Sequence, residues 1–305
     1  WDDGSSLRVS RDASGVLLNG KRLVIDLSED AHGADWLAGA GMRDMACLRA
    51  CALDASKGNL RTSQREALRR IHQARPDVAW SLKGEEALDQ VLSLFDPPWL
   101  MIDSRTPLRS KDLELVSEEK NLTYLNLDAE RVPEDVPLSF PKGLRTLVIS
   151  HWDPERNPLR LEDLTSLEAL TIRFSEMRDL ACIASLEALE ELHLLSCSIL
   201  EDLSALPGKQ SLRALTLTGC EGLSELSVIH ELNNLQWLGL PPAVSQAQLE
   251  GLLRTHRGLR VLELVQCRNI QNLKAVRSLK ELESLVILNG GAGAAGLGKQ
   301  DRKSV

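Results

Sequence analysis

The chain has 305 residues, of which 43% are hydrophobic and 26% are charged, so it can bury a substantial core and lies outside the disordered class. Its net charge of −8, with no dense block of Lys and Arg, argues against nucleic acids and anionic membrane surfaces as partners. No run of apolar residues approaches the roughly 18–20 that cross a membrane.

The first predicted element is a β-hairpin in the segment VLLNGKRLVIDL. Asn19 and Gly20 separate two apolar runs there, and Asn-Gly is a strong signal for a type I′ turn because both central residues need a positive φ. We therefore predict that residues 1–30 form a capping hairpin at the N-terminal end of the fold.

An amphipathic helix is predicted next, in TSQREALRRIHQA, with Thr as its N-terminal cap. Short strands are predicted on either side of it, in MACLRA at 45, DVAWSL at 77 and PPWLMI at 97. The segment LRRIHQARPDVAWSL also aligns with GLLRTHRGLRVLEL further along the chain. This alignment places Ile71, Trp80 and Leu82 in the core.

A regular series of eight similar hexapeptides follows. They are LTYLNL at 122, LRTLVI at 144, LEALTI at 167, LEELHL at 189, LRALTL at 212, LQWLGL at 235, LRVLEL at 259 and LESLVI at 282. Their starts are 22 to 24 residues apart, which indicates a repeat architecture. Strand alternation predicts that the two leucines of each L-x-L pair point into the core and that the residues beside them point outward.

Three of these units extend the pattern to a cysteine, in LEELHLLSCSIL, LRALTLTGCEGL and LRVLELVQCRNI. The sequence therefore resembles the leucine-rich repeat family, whose unit is L-x-x-L-x-L-x-x-N/C-x-L at a period of about 20–29 residues. The longer, helix-bearing units near the N-terminus are similar to those of ribonuclease inhibitor. The resemblance implies an α/β solenoid, with a curved parallel β-sheet on its concave face and short helices and turns on its convex face.

The predicted solenoid covers residues 31–290, between the capping hairpin and a flexible Gly/Ala-rich tail over residues 291–305. Each repeat buries its apolar face only against its neighbours, so we expect one continuous solenoid rather than two domains. The repeat that begins at Leu282 has little convex segment. We expect it either to self-associate or to be covered by sequence outside this chain. Residue 1 is Trp rather than Met, and we expect a processed form or a fragment.

The outward residues of successive strands form rows across the concave face. One row holds three aromatic residues, although aromatic residues are only 3% of the chain. Exposed aromatic side chains near an Arg are typical of interface hot spots. The predicted partner-binding residues are Trp99, Asp103, Tyr124, Asp128, Arg173, Phe174, Glu191, His193, Trp237 and Glu263.

Simpler explanations stay open for these residues. The tryptophans could pad neighbouring side chains on a face that binds nothing, since isolated exposed apolar residues are normal. Arg173, Glu191 and His193 could form a polar cluster that satisfies itself. Asp103 and Asp128 share a row, and solvated surface acids are a more common explanation than a carboxylate pair with a chemical role.

The cysteines fit a structural role better than a chemical one. At the N/C position of the repeat the side chain turns inward, so we expect buried, inert thiols at Cys197, Cys220 and Cys267. Cys182 is expected to be buried filler on the convex side. Unpaired cysteines favour a reducing compartment such as the cytoplasm. A periplasmic or secreted location stays open, because any targeting signal would lie outside this sequence.

One segment has the spacing of a phosphate-binding loop. Gly293, Gly298 and Lys299 match G-x-x-x-x-G-K, but the next residue is Gln300 rather than Ser or Thr, and the last repeat already uses the preceding strand. A flexible linker or tail is the favoured interpretation. The histidines show no metal-binding spacing. We therefore expect no cofactor, no metal and no catalytic residue.

The favoured hypothesis is a non-enzymatic module that binds a protein or a peptide through the concave face. The alternative is a substrate-recognition arm of a larger enzyme or regulatory protein, whose catalytic or membrane segment is absent from this chain. A purely structural spacer is a third hypothesis. The fold by itself names no partner.

Overall fold

A computed structural model describes residues 23–26, 48–54, 60, 62–84, 87–102 and 106–288. The chain divides into two compact units. The first unit is Trp1–Leu147 with Arg156–Pro158, and the second is Val148–Glu155 with Leu159–Val305. No helix in the described part of the chain is long and apolar enough to cross a membrane.

The first unit is built on parallel strands that lie side by side in sequence order. They are β1 (Leu23–Asp26), β2 (Leu48–Asp54), β3 (Ala79–Lys83), β4 (Trp99–Ile102) and β5 (Tyr124–Asp128). The helices between them are α1 (Thr62–Ala74), α2 (Ala87–Leu92) and α3 (Ser110–Glu118). Parallel neighbours need a crossover connection, and these helices supply it from β2 to β5.

The core of the first unit contains the residues that the repeat alignment selected. Ile71, Trp80 and Leu82 are all fully buried. The Trp80 ring lies 4.9 Å from that of Phe95, which in turn stacks on His72 at 4.4 Å. The predicted helix is confirmed over Thr62–Ala74, although Thr62 is its first helical residue rather than its cap.

The second unit continues the same pattern. Strand β6 (Thr146–Ser150) has residues in both units, and it is followed by β7 (Ala169–Arg173), β8 (Glu191–Leu195), β9 (Ala214–Thr216), β10 (Trp237–Leu240), β11 (Val261–Val265) and β12 (Ser284–Leu288). From β7 to β12 each strand pairs in parallel with the next. Helix α4 (Gln246–Thr255) connects β10 and β11, and Ser245 caps it through Gln248.

The inward positions of the second unit are leucines packed in layers. Leu215 is fully buried and is level with Leu192 on β8 and Leu238 on β10. The predicted apolar pairs behind the strands are also buried, namely Leu203 with Leu206 and Leu226 with Ile229. Burying one such side chain contributes about 1.5–3 kcal/mol, so the layers supply most of the stabilisation of the unit.

The cysteines of the repeat lie where the sequence predicted. Cys197, Cys220 and Cys267 are buried, and each thiol lies 3.5–3.9 Å from one or two backbone carbonyls of the preceding repeat. Burial raises the pKa of the Cys267 thiol to about 11. Cys182 differs from the prediction, because its side chain is half-buried rather than buried.

Four strands, β6, β7, β8 and β11, are followed directly by a residue with positive φ. The φ values are 52° at His151 and Phe174, 57° at Ser196 and 58° at Gln266. The amide of each of these residues donates to a carbonyl of the next repeat, for example from Phe174 to Leu195 over 2.9 Å. The repeat therefore imposes this conformation, even on residues that disfavour it.

Some predictions fall on residues outside this description. The Asn19–Gly20 turn and residues 291–305 lie outside the described residues, as do Gly293, Gly298 and Lys299. Within residues 1–30 the structure describes only β1, which pairs in parallel with β2. The capping hairpin, the tail and the domain boundaries stay predictions.

Replacing Leu215 by Asp should lower the free energy of unfolding by about 3–5 kcal/mol, because it places an unpaired charge between the buried leucines Leu192 and Leu238. Urea unfolding followed by circular dichroism measures the change. Leu215→Met conserves volume and should cost less than about 1.5 kcal/mol. Equal stability of the Asp variant and wild type would show that the inward register is wrong.

A buried lysine ties two repeats together. Lys209 is almost fully buried, and its ammonium donates to the carbonyls of Ala184 at 2.7 Å and Leu186 at 3.1 Å. Burial lowers the pKa of Lys209, while the charge of Glu187 opposes that shift.

Lys209→Met should therefore cost about 1–3 kcal/mol of unfolding free energy, because it leaves two carbonyls without their charged donor. Lys280→Met is the matched control: its ammonium also donates to a carbonyl, but the residue is exposed, and we expect a change within about 0.5 kcal/mol. Thermal unfolding of both variants provides the comparison. Equal losses would argue that the Lys209 bonds add nothing.

Candidate functional site

In each unit, the side chains that point away from the core along the strands form a surface that we call the exposed strand face. In the first unit it includes Trp99, Met101, Tyr124 and Asn126, and Trp99 pairs in register with Tyr124. The two rings stack with their centroids 4.6 Å apart and their planes 7° apart. The Trp99 side chain is still 46% exposed.

One of the two aspartates that share the predicted row, Asp128, lies in the described part of the first unit. Asp128 is only 8% exposed, so the expectation of a solvated surface acid is wrong for it. Its carboxylate accepts the amide of Glu130 at 3.0 Å and begins the short 3₁₀ turn Ala129–Arg131. A capping role of this kind buries a carboxylate without leaving it unpaired. Asp103 lies outside the described residues.

In the second unit the predicted rows are present in the register of the strands. One row contains Glu191, Ala214, Trp237 and Val261, and the next contains His193, Thr216, Gly239 and Glu263. Side chains two residues apart on one strand share a face, so the two rows lie next to each other.

Five side chains from four strands meet there, and we call them the Trp237 cluster: Glu191, His193, Thr216, Trp237 and Glu263. The His193 ring meets the edge of Trp237 with centroids 5.5 Å apart and planes at 66°. His193 Nδ1 is 3.1 Å from Thr216 Oγ1, and its Nε2 is 3.6 Å from a carboxylate oxygen of Glu191. The Trp237 side chain bonds to the carboxylate of Glu263. Trp237 nevertheless remains 37% exposed.

Gly239 makes room for this cluster. A β-carbon at Gly239 would lie 2.8 Å from Thr216 Cγ2 and 3.0 Å from a carboxylate oxygen of Glu263, so a larger residue would displace one of the two side chains. Sequence reasoning missed the contribution of Thr216 and Gly239. A glycine at an outward strand position was the available signal, because glycine in a strand often marks a close approach.

The carboxyl group of Glu263 has an unusual environment. Burial raises its pKa above the ordinary value, and the hydrogen bond from Trp237 and the positive charge that His193 can carry only partly offset this. The cluster is therefore partly desolvated before any ligand arrives.

A second aromatic pair lies where strands end. Phe174 is 54% exposed, and its ring stacks on that of His151 with centroids 5.1 Å apart. Arg173 precedes it on β7, level with Leu195 rather than with Glu191 or His193. Its buried Nε atom makes no hydrogen bond. His151 was not predicted as part of the site. Its position directly after β6, equivalent to that of Phe174 after β7, was the available signal.

The structure thus brings together part of the predicted set. Glu191, His193, Trp237 and Glu263 are in contact, and so are Trp99 and Tyr124 within the first unit. The suggested polar cluster includes Glu191 and His193, whereas Arg173 lies at a different level of the sheet. Both tryptophans do pack on neighbouring rings, but each keeps more than a third of its surface exposed.

No protein-family model and no curated protein matches the sequence. Solved structures do match the fold. An internalin (InlF) of Listeria monocytogenes is 15% identical, with a TM-score of 0.53, and the match covers 90% of this chain and 95% of that one. A chain of the Toll–Spätzle complex of Drosophila is 14% identical, with a TM-score of 0.55, over 88% of this chain and 40% of its own.

Together with the repeats and the parallel strands, these matches show that the protein has the leucine-rich repeat fold. The α/β class, the parallel sheet and the short helices and turns implied by the sequence resemblance are confirmed. At such low identity the comparison shows the fold and does not identify a ligand.

Glu263→Gln should stabilise the protein at neutral pH and not in acid. A carboxyl whose folded-state pKa is raised contributes stability below its ordinary value of 4.5, and that contribution is lost as the pH rises through the raised pKa. Gln has no charge to desolvate and can still accept from Trp237. Urea unfolding at about pH 4 and about pH 8 should therefore show an advantage of Gln only at the higher pH.

Trp237→Phe tests the same dependence of stability on pH, through a change that should raise the pKa of Glu263 further. It removes the donor that favours the charged carboxylate, so the loss of stability on raising the pH should become larger than in wild type. If the difference between Glu263→Gln and wild type is the same at both pH values, Glu263 is not the source of the pH dependence.

Proposed function

We propose that the protein is a non-enzymatic module that binds another protein or a peptide through the exposed strand face. The observation that carries this proposal is the Trp237 cluster. It presents a large, partly exposed aromatic ring whose orientation is fixed by His193 on one side and by Glu263 on the other. A ring held in place in advance loses little conformational entropy when a partner covers it.

The composition of the cluster also suits recognition. Trp and Tyr dominate interface hot spots because they offer a large apolar area together with a polar atom. Beside Trp237, the exposed carboxylate of Glu191 supplies an acceptor for a partner's donors. In the first unit Trp99 and Tyr124 form an aromatic surface of the same kind.

A non-enzymatic role is supported by the bonding within the cluster. His193 lies against Thr216, and Glu263 bonds to Trp237, so both groups are occupied as mutual supports. A general base needs a free lone pair aimed at a reacting proton. One of the fold relatives comes from a complex of Toll with Spätzle, which is consistent with a binding role for this fold.

Selection of a random peptide library displayed on phage tests the proposal. Peptides selected on the wild-type protein should bind Trp237→Ala at least about tenfold more weakly, because truncating a hot-spot aromatic typically costs 2 kcal/mol or more. Fluorescence anisotropy with the synthetic peptide gives the affinity. The melting temperature of the variant should stay close to that of wild type, since Trp237 is partly exposed.

Two exposed residues outside the strands provide matched controls. Glu187→Lys and Lys280→Glu change charge without touching the exposed strand face, and both should keep wild-type affinity. Trp99→Ala asks separately whether the aromatic surface of the first unit takes part. Equal weakening by Trp237→Ala and by the two controls, or weakening only in variants that melt early, would place the site elsewhere.

A further inference from the structure

The second unit contains a groove away from its exposed strand face. The segments that follow β6, β7 and β8 enclose a volume of about 780 Å³, and none of the lining residues belongs to a strand. Its floor is apolar: Trp152 and Met177 are buried beneath it, while Leu159, Cys182 and Ile199 are half-buried along it. This volume lies within the range of about 300–1,000 Å³ that is usual for ligand sites.

Hydrogen bonds hold the walls of the groove in place. The carbonyl of Trp152 accepts from Ser175 Oγ at 2.6 Å and from the amide of Glu176 at 3.2 Å, which joins two successive repeats. The carboxylate of Asp153 accepts the amide of Glu155, and that of Asp179 accepts the amide of Ala181, both at 2.9 Å. The groove therefore does not need a ligand to form.

The rim is strongly acidic. The lining includes one cationic side chain, Arg178, and five carboxylates, those of Asp153, Glu155, Glu162, Glu176 and Asp179. The guanidinium of Arg178 lies 4.0 Å from Glu201, which is not part of the lining, so its charge is shared with a carboxylate outside the groove. A cleft lined by one sign of charge concentrates the field and attracts ions of the opposite sign.

From the apolar floor and the acidic rim together, we propose that this groove is a second docking site, which takes a short basic peptide segment. Lys and Arg suit both features, because their aliphatic stems pack on apolar surface while their charged ends reach carboxylates. Alternating Leu and basic residues would place the apolar side chains on the floor. The groove holds a few side chains rather than a folded domain.

The thiol within the groove is not a nucleophile for this ligand. Burial raises the pKa of Cys182 to about 12, and the negative charge of Asp179 adds to the shift. The thiol therefore stays protonated at neutral pH. Because Cys182 lines the groove and is half-buried, it can serve as a reporter of what covers the floor.

A fluorescein-labelled peptide of sequence Lys-Leu-Arg-Leu-Lys, measured by anisotropy at low ionic strength, tests the proposal. The double variant Glu155→Gln/Glu176→Gln should bind it about fivefold more weakly, since each rim carboxylate contributes a surface ion pair. The matched control is Glu221→Gln/Glu231→Gln, which removes the same charge at two exposed positions of the same unit that do not line the groove. The control should bind the peptide like wild type.

The location of the peptide site and the chemistry of the ligand are tested separately. Bound peptide should slow the oxidation of Cys182 by hydroxyl radicals, which react with a protonated thiol, and mass spectrometry at that residue measures the rate. Trp237→Ala should bind the peptide normally. The neutral peptide Gln-Leu-Gln-Leu-Gln should not bind. If both double variants weaken peptide binding equally, the peptide is attracted by the net charge of the chain rather than by the groove, and the proposal is overturned. The proposal is also overturned if bound peptide does not protect Cys182. Displacement by spermine at concentrations equal to those of the peptide would assign the groove to free polyamines instead.

Discussion

A repeat of this chain can bury its inward leucines only against the repeats beside it, and this constraint underlies the rest of the structure. Leu215 illustrates it within the second unit, where it lies level with Leu192 and Leu238 in a single buried layer. The layer is continuous only if each strand is parallel to the next and in register with it. A repeat length of 22 to 24 residues keeps that register from one strand to the next.

The same constraint decides which positions are free to acquire function. Stacking fixes the inward leucines, the ladder cysteines and the left-handed residue that follows β6, β7, β8 and β11. The left-handed conformation holds even for Phe174, a residue type that disfavours positive φ. Stacking does not constrain the residue type at outward strand positions or in the segments that connect the strands. The Trp237 cluster lies at outward strand positions, and the groove with the acidic rim lies between the connecting segments.

Carboxylates occur in both places, but their environments differ. Glu263 is half-buried beside Trp237, and desolvation raises its pKa. The ionised carboxylate is therefore unfavourable in the folded protein, and the hydrogen bond from the Trp237 side chain reduces that penalty. At the groove, Glu155, Glu162 and Glu176 are exposed, and their charges act mainly through the field that they create in solvent. The cluster is therefore suited to shape-specific contact, and the groove to attraction of opposite charge.

By itself, the sequence determined the fold and the register. The spacing of the hexapeptides and the period of two along each strand are local properties, and they identified the buried leucines, the inward cysteines and the rows of outward residues.

Only the tertiary structure decided how the outward side chains meet. Trp237 on β10 contacts His193 across β9 and Glu263 on the neighbouring β11, and the space for this depends on the missing side chain of Gly239. Likewise, Asp128 is buried because the chain turns at the end of its strand, and the groove exists because irregular segments of successive repeats happen to leave space between them. The contacts of Trp237 and Gly239 join residues more than 20 positions apart, and all of these arrangements depend on side-chain rotamers and turn geometry, which no local pattern specifies.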